Sequence, residues 1–401
     1  MGEAKSTDAL IIGGGIIGLA TAFQLLKTLP HLKVTVLEKE VRLARSQSGR
    51  LPGVLQSGLS CGPGLLNPAF CREGRLAMER FCEGEGVPWR RCGKLILANG
   101  EEEDWLRLLR QRAEAEGIAG EWWGADRLRE QVPQVAGVAG LFLSEAGVVD
   151  YEAVCERLAR RVHEMGGEFH GSAEVGRLSQ TAGEVHVETS KGLFEAKVLF
   201  NCAGLQADEL ARRAGASPGV WLVPFRASYQ ELDAEGRKWV DRLIYRVPSP
   251  GAAFGAVRLI PSTDGRVECG PQVVPALSRE NRASWLRAWS DLSGQLNYPG
   301  FVPMIKRDWR SAVREGWRRC RGGSLIDEAR RLLPGLEAWH FDSAPPGIFG
   351  RALRADGTFE QDLRVVRDGR MVHVCFVPEA GGTAALVIGR TLVGHAVEHL
   401  I

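Results

Sequence analysis

Residues 9–38 constrain the fold of this chain more than any other stretch. Ala9-Leu-Ile-Ile12 is a short apolar run, the length of a buried parallel strand, and Gly13-Gly-Gly-Ile-Ile-Gly18 follows it directly. An apolar helix then runs through Leu19, Ala22, Phe23 and Leu26 until Pro30 and His31 break it, and Val34-Thr-Val-Leu-Glu38 is a second strand. Together they predict a βαβ unit of about thirty residues. In such a glycine pattern Gly13 allows the tight turn, Gly15 lets backbone amides approach a pyrophosphate, and Gly18 lets the helix sit close on the strand. The helix start at Ile16 then turns its unpaired amides toward the phosphates. Glu38 ends the second strand 20 residues after Gly18, where a carboxylate can bind a ribose hydroxyl, and Lys39 follows it. An acid here, rather than a small residue followed by Arg, argues against a 2′-phosphate.

The glycine pattern alone does not separate NAD from FAD; later segments do. Gly167 to Val175 reads as a strand leading to a hairpin through Gly183 and Gly192. Lys197-Val-Leu-Phe-Asn-Cys-Ala-Gly204 is an apolar strand ending in a small-residue turn, with a helix through Asp208 and Leu210 behind it. Met371 to Cys375 is a further strand, and Gly381-Gly-Thr-Ala384 opens a helix through Leu386, Ile388, Leu392 and Val393. FAD proteins of this build set a strand like that near Val175 against the adenine and close a turn like Ala203-Gly204 over the pyrophosphate. Bare amides at Gly381, Gly382 and Thr383 suit the flavin pyrimidine oxygen, which gains negative charge on reduction. The expected fold is α/β: a Rossmann-type FAD-binding domain assembled from 1–80, 151–218 and 337–401, and an α+β substrate domain on an antiparallel or mixed sheet from 81–150 and 219–336.

Composition limits the partners. The 51 Lys and Arg against 49 Asp and Glu leave a net +2, with no global field to draw the chain to nucleic acid. With 44% hydrophobic and 25% charged residues over 401 positions, two or three globular domains are expected at roughly 100–200 residues each. The nine cysteines are scattered without a Cys-x-x-Cys, which predicts buried thiols and no metal site. With no secretory leader at the N-terminus, a reduced, cytoplasmic setting is expected. The most apolar segment, Ala9 to Ala22, falls short of the ~20 residues of a transmembrane helix.

These residues resemble the L-2-hydroxyglutarate oxidase/dehydrogenase family, within the D-amino-acid-oxidase-like FAD superfamily. The likeness spans nearly the full length. It includes Ile11 to Gly18, Leu37-Glu-Lys39, Phe70-Cys71, Cys92-Gly-Lys94, Gly147-Val-Val-Asp-Tyr151, Cys202-Ala-Gly-Leu-Gln-Ala-Asp208, Pro224-Phe-Arg226, Asp264-Gly265, Gly270-Pro271 and Arg351-Ala-Leu. The resemblance implies FAD as cofactor and hydride removal from a 2-hydroxy dicarboxylate.

Departures are concentrated elsewhere. Where the family carries His-Asn-Ser-Gly-Val-Ile-His-Ala-Gly and then two tyrosines, this chain has Arg50-Leu-Pro-Gly53-Val-Leu-Gln56-Ser-Gly58, then Ser60 and Cys61. Gly-Val-His-Leu-Thr has become Ala256-Val-Arg258-Leu-Ile260, and Gly-Pro-Asn has become Gly270-Pro-Gln272. Cys-Asn-Ala-Pro-Ser-Pro-Ala-Ala-Thr has become Cys375-Phe-Val-Pro-Glu379-Ala-Gly381-Gly382-Thr383. These are positions that the resemblance places around flavin and substrate, whereas the fold-forming positions are kept. Either the pocket was rebuilt for another substrate or chemistry was lost.

Oxidising an alcohol over a flavin needs a C–H held at N5 and an acceptor for the hydroxyl proton, usually histidine. An amine can bind neutral and needs none, so the lost histidines shift the expectation toward an amine without deciding it. His373 remains, either as an active-site group or as a packed strand histidine. The resemblance puts Arg226, Arg258 and Arg351 on the pocket wall, where guanidinium forks bind carboxylates. Fixed cations there call for a small anionic substrate with at least two anionic groups, or one carboxylate and a polar tail. Arg50 and Gly53 are expected at the cofactor, Arg50 on phosphate or ribityl. Lys306 to Arg321 mixes Trp309 and Trp317 with many cations. It reads as an element touching anionic lipid at the inner membrane face or a partner protein, or as a solvated helix. The expected function is FAD-dependent oxidation of a 2-hydroxy acid of the L-2-hydroxyglutarate type. An amino or imino acid oxidase and a noncatalytic FAD-binding subunit are the alternatives, and oxygen, a quinone or a protein stands open as electron acceptor.

Overall fold

The computed structural model describes residues 4–50, 52–59, 64–248, 256–280, 285–307 and 325–400. The βαβ unit forms where the sequence placed it, as strand Lys5–Ile12, helix Ile16–Thr28 and strand Val34–Leu37. Strand Lys5–Ile12 pairs in parallel with Val34–Leu37 on one side and with Phe194–Asn201 of strand Gly192–Asn201 on the other. Glu168–His170 extends the sheet beyond Val34–Leu37, and Met371–His373 joins Leu199–Asn201, both in parallel. Ile12, Leu37, Asn201 and His373 therefore share one edge, the carboxyl ends where open α/β sheets bind ligands. The hairpin Val175–Gln180 and Val185–Thr189 pairs antiparallel with the first half of Gly192–Asn201.

Close backbone approach explains two glycines. Gly13 has φ +108°, and a Cβ there would lie 2.4 Å from the carbonyl oxygen of Cys202. At Gly18 a Cβ would lie 2.0 Å from the Gly13 carbonyl oxygen, so only glycine lets the helix start over its turn. Helix Ala385–Gly394 packs on Ile16–Thr28, and Ile11, Leu25, Leu26, Phe200, Ile388 and Leu392 share one core, each at 0% exposure.

The second sheet is mixed. Val220–Leu232 pairs antiparallel with Val267–Pro275, Phe341–Ser343 and Gly347–Arg354, and the sheet continues through Arg258–Pro261, Leu243–Arg246, Lys94–Ala98, Ala139–Leu143 and Glu121–Gly124. Leu243–Arg246 runs parallel to Lys94–Ala98, and the neighbouring pairs run antiparallel. The strand pairing runs across the boundary expected at 337. Phe341–Ser343 and Gly347–Arg354 belong to the second sheet, and the first sheet is rejoined by Arg364–Asp368, which pairs with Met371–Phe376. A strand's own residues do not name its partner, so sequence spacing could not assign these.

Candidate active site

A cavity of about 1530 Å³ lies along the carboxyl edge of the first sheet and reaches the strands of the second. It exceeds the roughly 300–1,000 Å³ usual for one small ligand, which leaves room for a dinucleotide and a substrate together. Gly13, Gly15, Ile16, Glu38, Lys39, Arg50, Val175, Ala203 and Gly204 line it, as the sequence suggested.

At this end the sequence sets up an anion cradle. The helix Ile16–Thr28 has no acid in its first turn and no side-chain cap from Gly15, and its first amide, that of Ile16, donates to Ser48 Oγ at 3.0 Å. Glu38 Oε2 accepts from the Gly14 amide at 2.8 Å and Oε1 from the Glu40 amide at 2.9 Å, which fixes the carboxylate beside the glycine turn. A helix start free of acid, a glycine turn open to the cavity and an anchored acid one strand away fit an adenine dinucleotide, with pyrophosphate at the Gly13–Gly15 turn and ribose at Glu38. Lys39 is ion-paired with Glu280.

One support was not foreseen. Arg279, 1% exposed, donates to both carboxylate oxygens of Asp208 at 2.6 and 3.1 Å and to the Leu205 carbonyl at 3.0 Å. Asp208, fully buried, also accepts from the Leu222 amide at 3.0 Å. This pair ties the segment after Gly204 to the second sheet. Asp208 was visible in the sequence, but a partner 71 residues away was not.

Gly381 and Gly382 line the other end of the cavity, with Tyr229, Arg258, Ile260, Val273, Phe349, Arg351 and Glu379 around them. Thr383 is 1% exposed and sits behind that wall. Its Oγ1 accepts from the Gln56 amide at 3.0 Å, lies 3.3 Å from the Tyr151 hydroxyl and donates to the Val54 carbonyl at 3.3 Å. Gly18 and Gly53 also act by packing; a Cβ on Gly53 would lie 1.8 Å from the Val149 carbonyl oxygen.

Arg258 and Glu379 form an ion pair, and Gln56 Nε2 lies 3.5 Å from the same Glu379 oxygen. Arg258 is 13% exposed and stands 5.3 Å from the Tyr245 ring centroid. Burial alone would lower the pKa of Arg258, but Glu379, Tyr245 and Tyr229 together outweigh it and raise it. In turn Arg258, against the cost of burial and with help from Lys94 and Arg351, holds the Glu379 carboxyl below its usual range. Glu379 keeps 56% of its side chain accessible, and that access opens into the cavity. The expectation of unbalanced positive charge at Arg258 is therefore corrected: the anion that neutralises it came with it. Arg351 lines the cavity with its guanidinium 4.3 Å from the Phe359 ring centroid.

Arg226, expected on the wall, and His373, expected either at the site or packed in its strand, do not line the cavity. Arg226 is exposed and absent from the cavity lining, because alternation along Val220–Leu232 turns Ala227 and Tyr229 inward and Arg226 away. His373 is 0% exposed inside the first sheet, with Nδ1 3.0 Å from Asn201 Nδ2. Burial lowers its pKa to about 4. In the unfolded chain the group would titrate near 6.5, so between those values the unfolded state binds the extra proton. Stability is then full above pH 6.5 and falls as pH drops toward 4, by about 3 kcal/mol at ~1.4 kcal/mol per unit. His373→Gln should flatten this part of the stability curve, measured by urea unfolding from pH 7 to 4. An unchanged slope would refute the assignment.

Among the described residues no three His, Cys, Asp or Glu side chains converge as metal ligands, and the seven described cysteines form no disulfide. No described helix is long and apolar enough to cross a membrane. Ser60, Cys61 and residues 308–321 of the cationic tryptophan stretch lie outside the described residues.

The sequence pattern that defines the FAD dependent oxidoreductases matches residues 8–394. The chain belongs to that family, and its cofactor is FAD. The L-2-hydroxyglutarate dehydrogenase of Escherichia coli strain K12 is 35% identical over 388 residues, covering 96% of this chain and 92% of that protein. The mitochondrial L-2-hydroxyglutarate dehydrogenase of Caenorhabditis elegans is 32% identical over 404 residues, covering 98% and 93%. Among solved structures, the reduced, FAD-bound L-alpha-glycerophosphate oxidase of Mycoplasma pneumoniae superposes with a TM-score of 0.78 at 23% identity over 99% of this chain and 95% of that one. Glycine oxidase of Geobacillus kaustophilus gives 0.73 at 18% identity, covering 98% and 95%. At those identities the structural likeness speaks for the fold. This flavoenzyme family member thus shares its architecture with oxidases of both CH–OH and CH–NH substrates.

Proposed function

We propose that this chain is an FAD-dependent oxidoreductase that converts a 2-hydroxy acid to the 2-oxo acid. The observation that carries the reading is the convergence of Arg351 and the Arg258–Glu379 pair on the cavity end at Gly381 and Gly382, continuous with the dinucleotide cradle. The kinship with L-2-hydroxyglutarate dehydrogenases supports the CH–OH class. When bound, FAD supplies the acceptor for a hydride. Arg351 would hold the substrate carboxylate by a charge-assisted fork. The amides at the start of the segment Gly381–Thr383 would face the negative charge of the reduced ring. Ile260, Val273 and Phe349 wall the site with apolar surface and keep water from the reacting carbon. Gln56 and Glu379 offer oxygen acceptors toward a substrate hydroxyl.

No histidine lines the cavity among the described residues, and this observation keeps an amino or imino acid as the second reading. Anaerobic mixing of the FAD-loaded protein with 2-hydroxy acids and, separately, with amino acids decides between them. Loss of flavin absorbance is expected with a 2-hydroxy acid. Bleaching by amino acids alone would favour the second reading, and no bleaching by either would leave a noncatalytic flavin-binding subunit. Reoxidising the bleached protein with oxygen, then with a quinone, identifies the acceptor class.

A further inference from the structure

Two acids line the cavity around Arg351, and the structure uses them differently. Glu360, next to the Phe359 ring on which Arg351 sits, gives both carboxylate oxygens to Arg354. Glu379, in the short turn Glu379–Gly381 ahead of helix Ala385–Gly394, meets Arg258 and Gln56 Nε2 through Oε1 alone. Its Oε2 takes no hydrogen bond among the described residues, and 56% of the side chain stays accessible, toward the cavity. We propose that Glu379 is the catalytic base of the oxidation: Oε2 takes the hydroxyl proton of the substrate while Arg258 and Gln56 hold Oε1 in place. This rests on the 2-hydroxy acid activity proposed above.

The neighbouring groups cannot take the proton. Tyr229 lines the cavity, but burial pushes its hydroxyl up, so it stays a neutral phenol, and the same holds for Tyr245 beside Arg258. The Gln56 amide is not basic, and His373 is buried in the first sheet away from the cavity. Arg258, Arg307 and Arg351 on the cavity wall and Lys94 behind it are cations. Arg258 above all, then Lys94 and Arg351, hold Glu379 ionised against the cost of burial. A carboxylate held low is a weak base, yet it suffices here. In the oxidation the C–H hydrogen leaves as a hydride, with two electrons reducing the bound FAD, and the C–O bond becomes a carbonyl. As that hydride departs the hydroxyl turns into a protonated carbonyl, a strong acid, and its proton passes to Oε2. The carboxyl then returns the proton to water through the open cavity.

The test follows the rate of anaerobic flavin reduction by 2-hydroxyglutarate and by 2-hydroxypentanoate against pH. A carboxyl below its usual 4.5 is ionised throughout the neutral range and loses its charge only as pH falls through its own pKa. The wild-type rate should therefore be flat from pH 8 down to 5, without the limb near 6.5 that a histidine base would give. Glu379→Gln should slow reduction roughly 100- to 10,000-fold while flavin stays bound, and Glu379→Asp should recover part of the rate. Arg258→Met removes the main cation beside Glu379, so its carboxyl rises and the acid limb should move up into the range where the wild type is flat. Carbon-13 NMR of the carboxyl-labelled, FAD-loaded protein without substrate reads the same group directly, its signal identified by its loss in Glu379→Gln. In the wild type and in Arg258→Met that signal should titrate with the kinetic limb, which a merely structural ion pair would not produce. If Glu379→Gln sheds its flavin, the limb shift and the NMR titration decide alone. A Glu379→Gln protein that keeps flavin and is reduced within tenfold of wild type overturns the base and leaves the oxidation reading standing, as does a limb that Arg258→Met does not move. If neither hydroxy acid reduces the wild type at any pH, the oxidation reading falls and the base falls with it.

Discussion

Glu38→Arg is expected to yield a protein that purifies without flavin. The Glu38 carboxylate is held by two backbone amides, those of Gly14 and Glu40, so it both shapes the glycine turn and presents an acceptor at the strand end. Arginine removes the acceptor and adds a cation beside Lys39. Hydrogen bonds to a charged group contribute about 1.5–3 kcal/mol each. Losing the one to the ribose hydroxyl predicts FAD binding weakened by roughly 10- to 150-fold, at ~1.4 kcal/mol per tenfold, and losing the two to the Gly14 and Glu40 amides loosens the turn as well. Glu38→Gln keeps an oxygen acceptor and should retain a larger share of the flavin. Flavin content after gel filtration and a fluorescence titration of the apoprotein measure both. Circular dichroism of the two apoproteins separates loss of the ligand from loss of the fold. A Glu38→Arg protein that stays yellow at full occupancy would remove Glu38 from the cofactor site.

The parts of this protein that sequence makes legible are those governed by local geometry. Gly13, Gly18 and Glu38 act through spacing along one continuous βαβ unit, and spacing is what a sequence records. Gly381 and Gly382 were legible for the same reason, as a small-residue break between an apolar strand and an apolar helix. Pairings across long separations were not. The strand Gly347–Arg354 reads no differently whether it joins the first sheet or the second, and its bonds to Val220–Leu232 decide the matter. Arg226 failed because motif resemblance places a residue on a strand but not on a face. His373 stayed open between two readings because a histidine on a strand beside a cofactor turn and one buried within the sheet carry the same letters, and the structure has it buried. The Arg258–Glu379 pair lay between these cases. A gained cation and a gained anion both stood among the departures, 121 residues apart, and their joint appearance was the available signal of contact.

Arg351→Met should cost more turnover than any other single change on the substrate wall while leaving FAD in place. Arg258 is ion-paired with Glu379, and in the proposed reaction Arg351, which lines the cavity over the Phe359 ring, would hold the substrate carboxylate. Methionine preserves length and packing against that ring but offers no donor. Truncating one side of a desolvated charge pair costs about 2–5 kcal/mol, or roughly 30-fold to a few thousand-fold in kcat/KM. Part of that loss should appear in kcat, because a carboxylate no longer held in two-point fashion leaves the reacting C–H poorly aimed. If Arg351 instead only buttresses Phe359, the variant would lose thermal stability without losing discrimination. A 2-hydroxy amide with the same chain separates the two roles. Wild type should favour the acid over the amide strongly, and Arg351→Met should bring the two close to parity. A variant that stays yellow, turns over the acid within threefold of wild type and keeps its preference would place the substrate carboxylate on another residue.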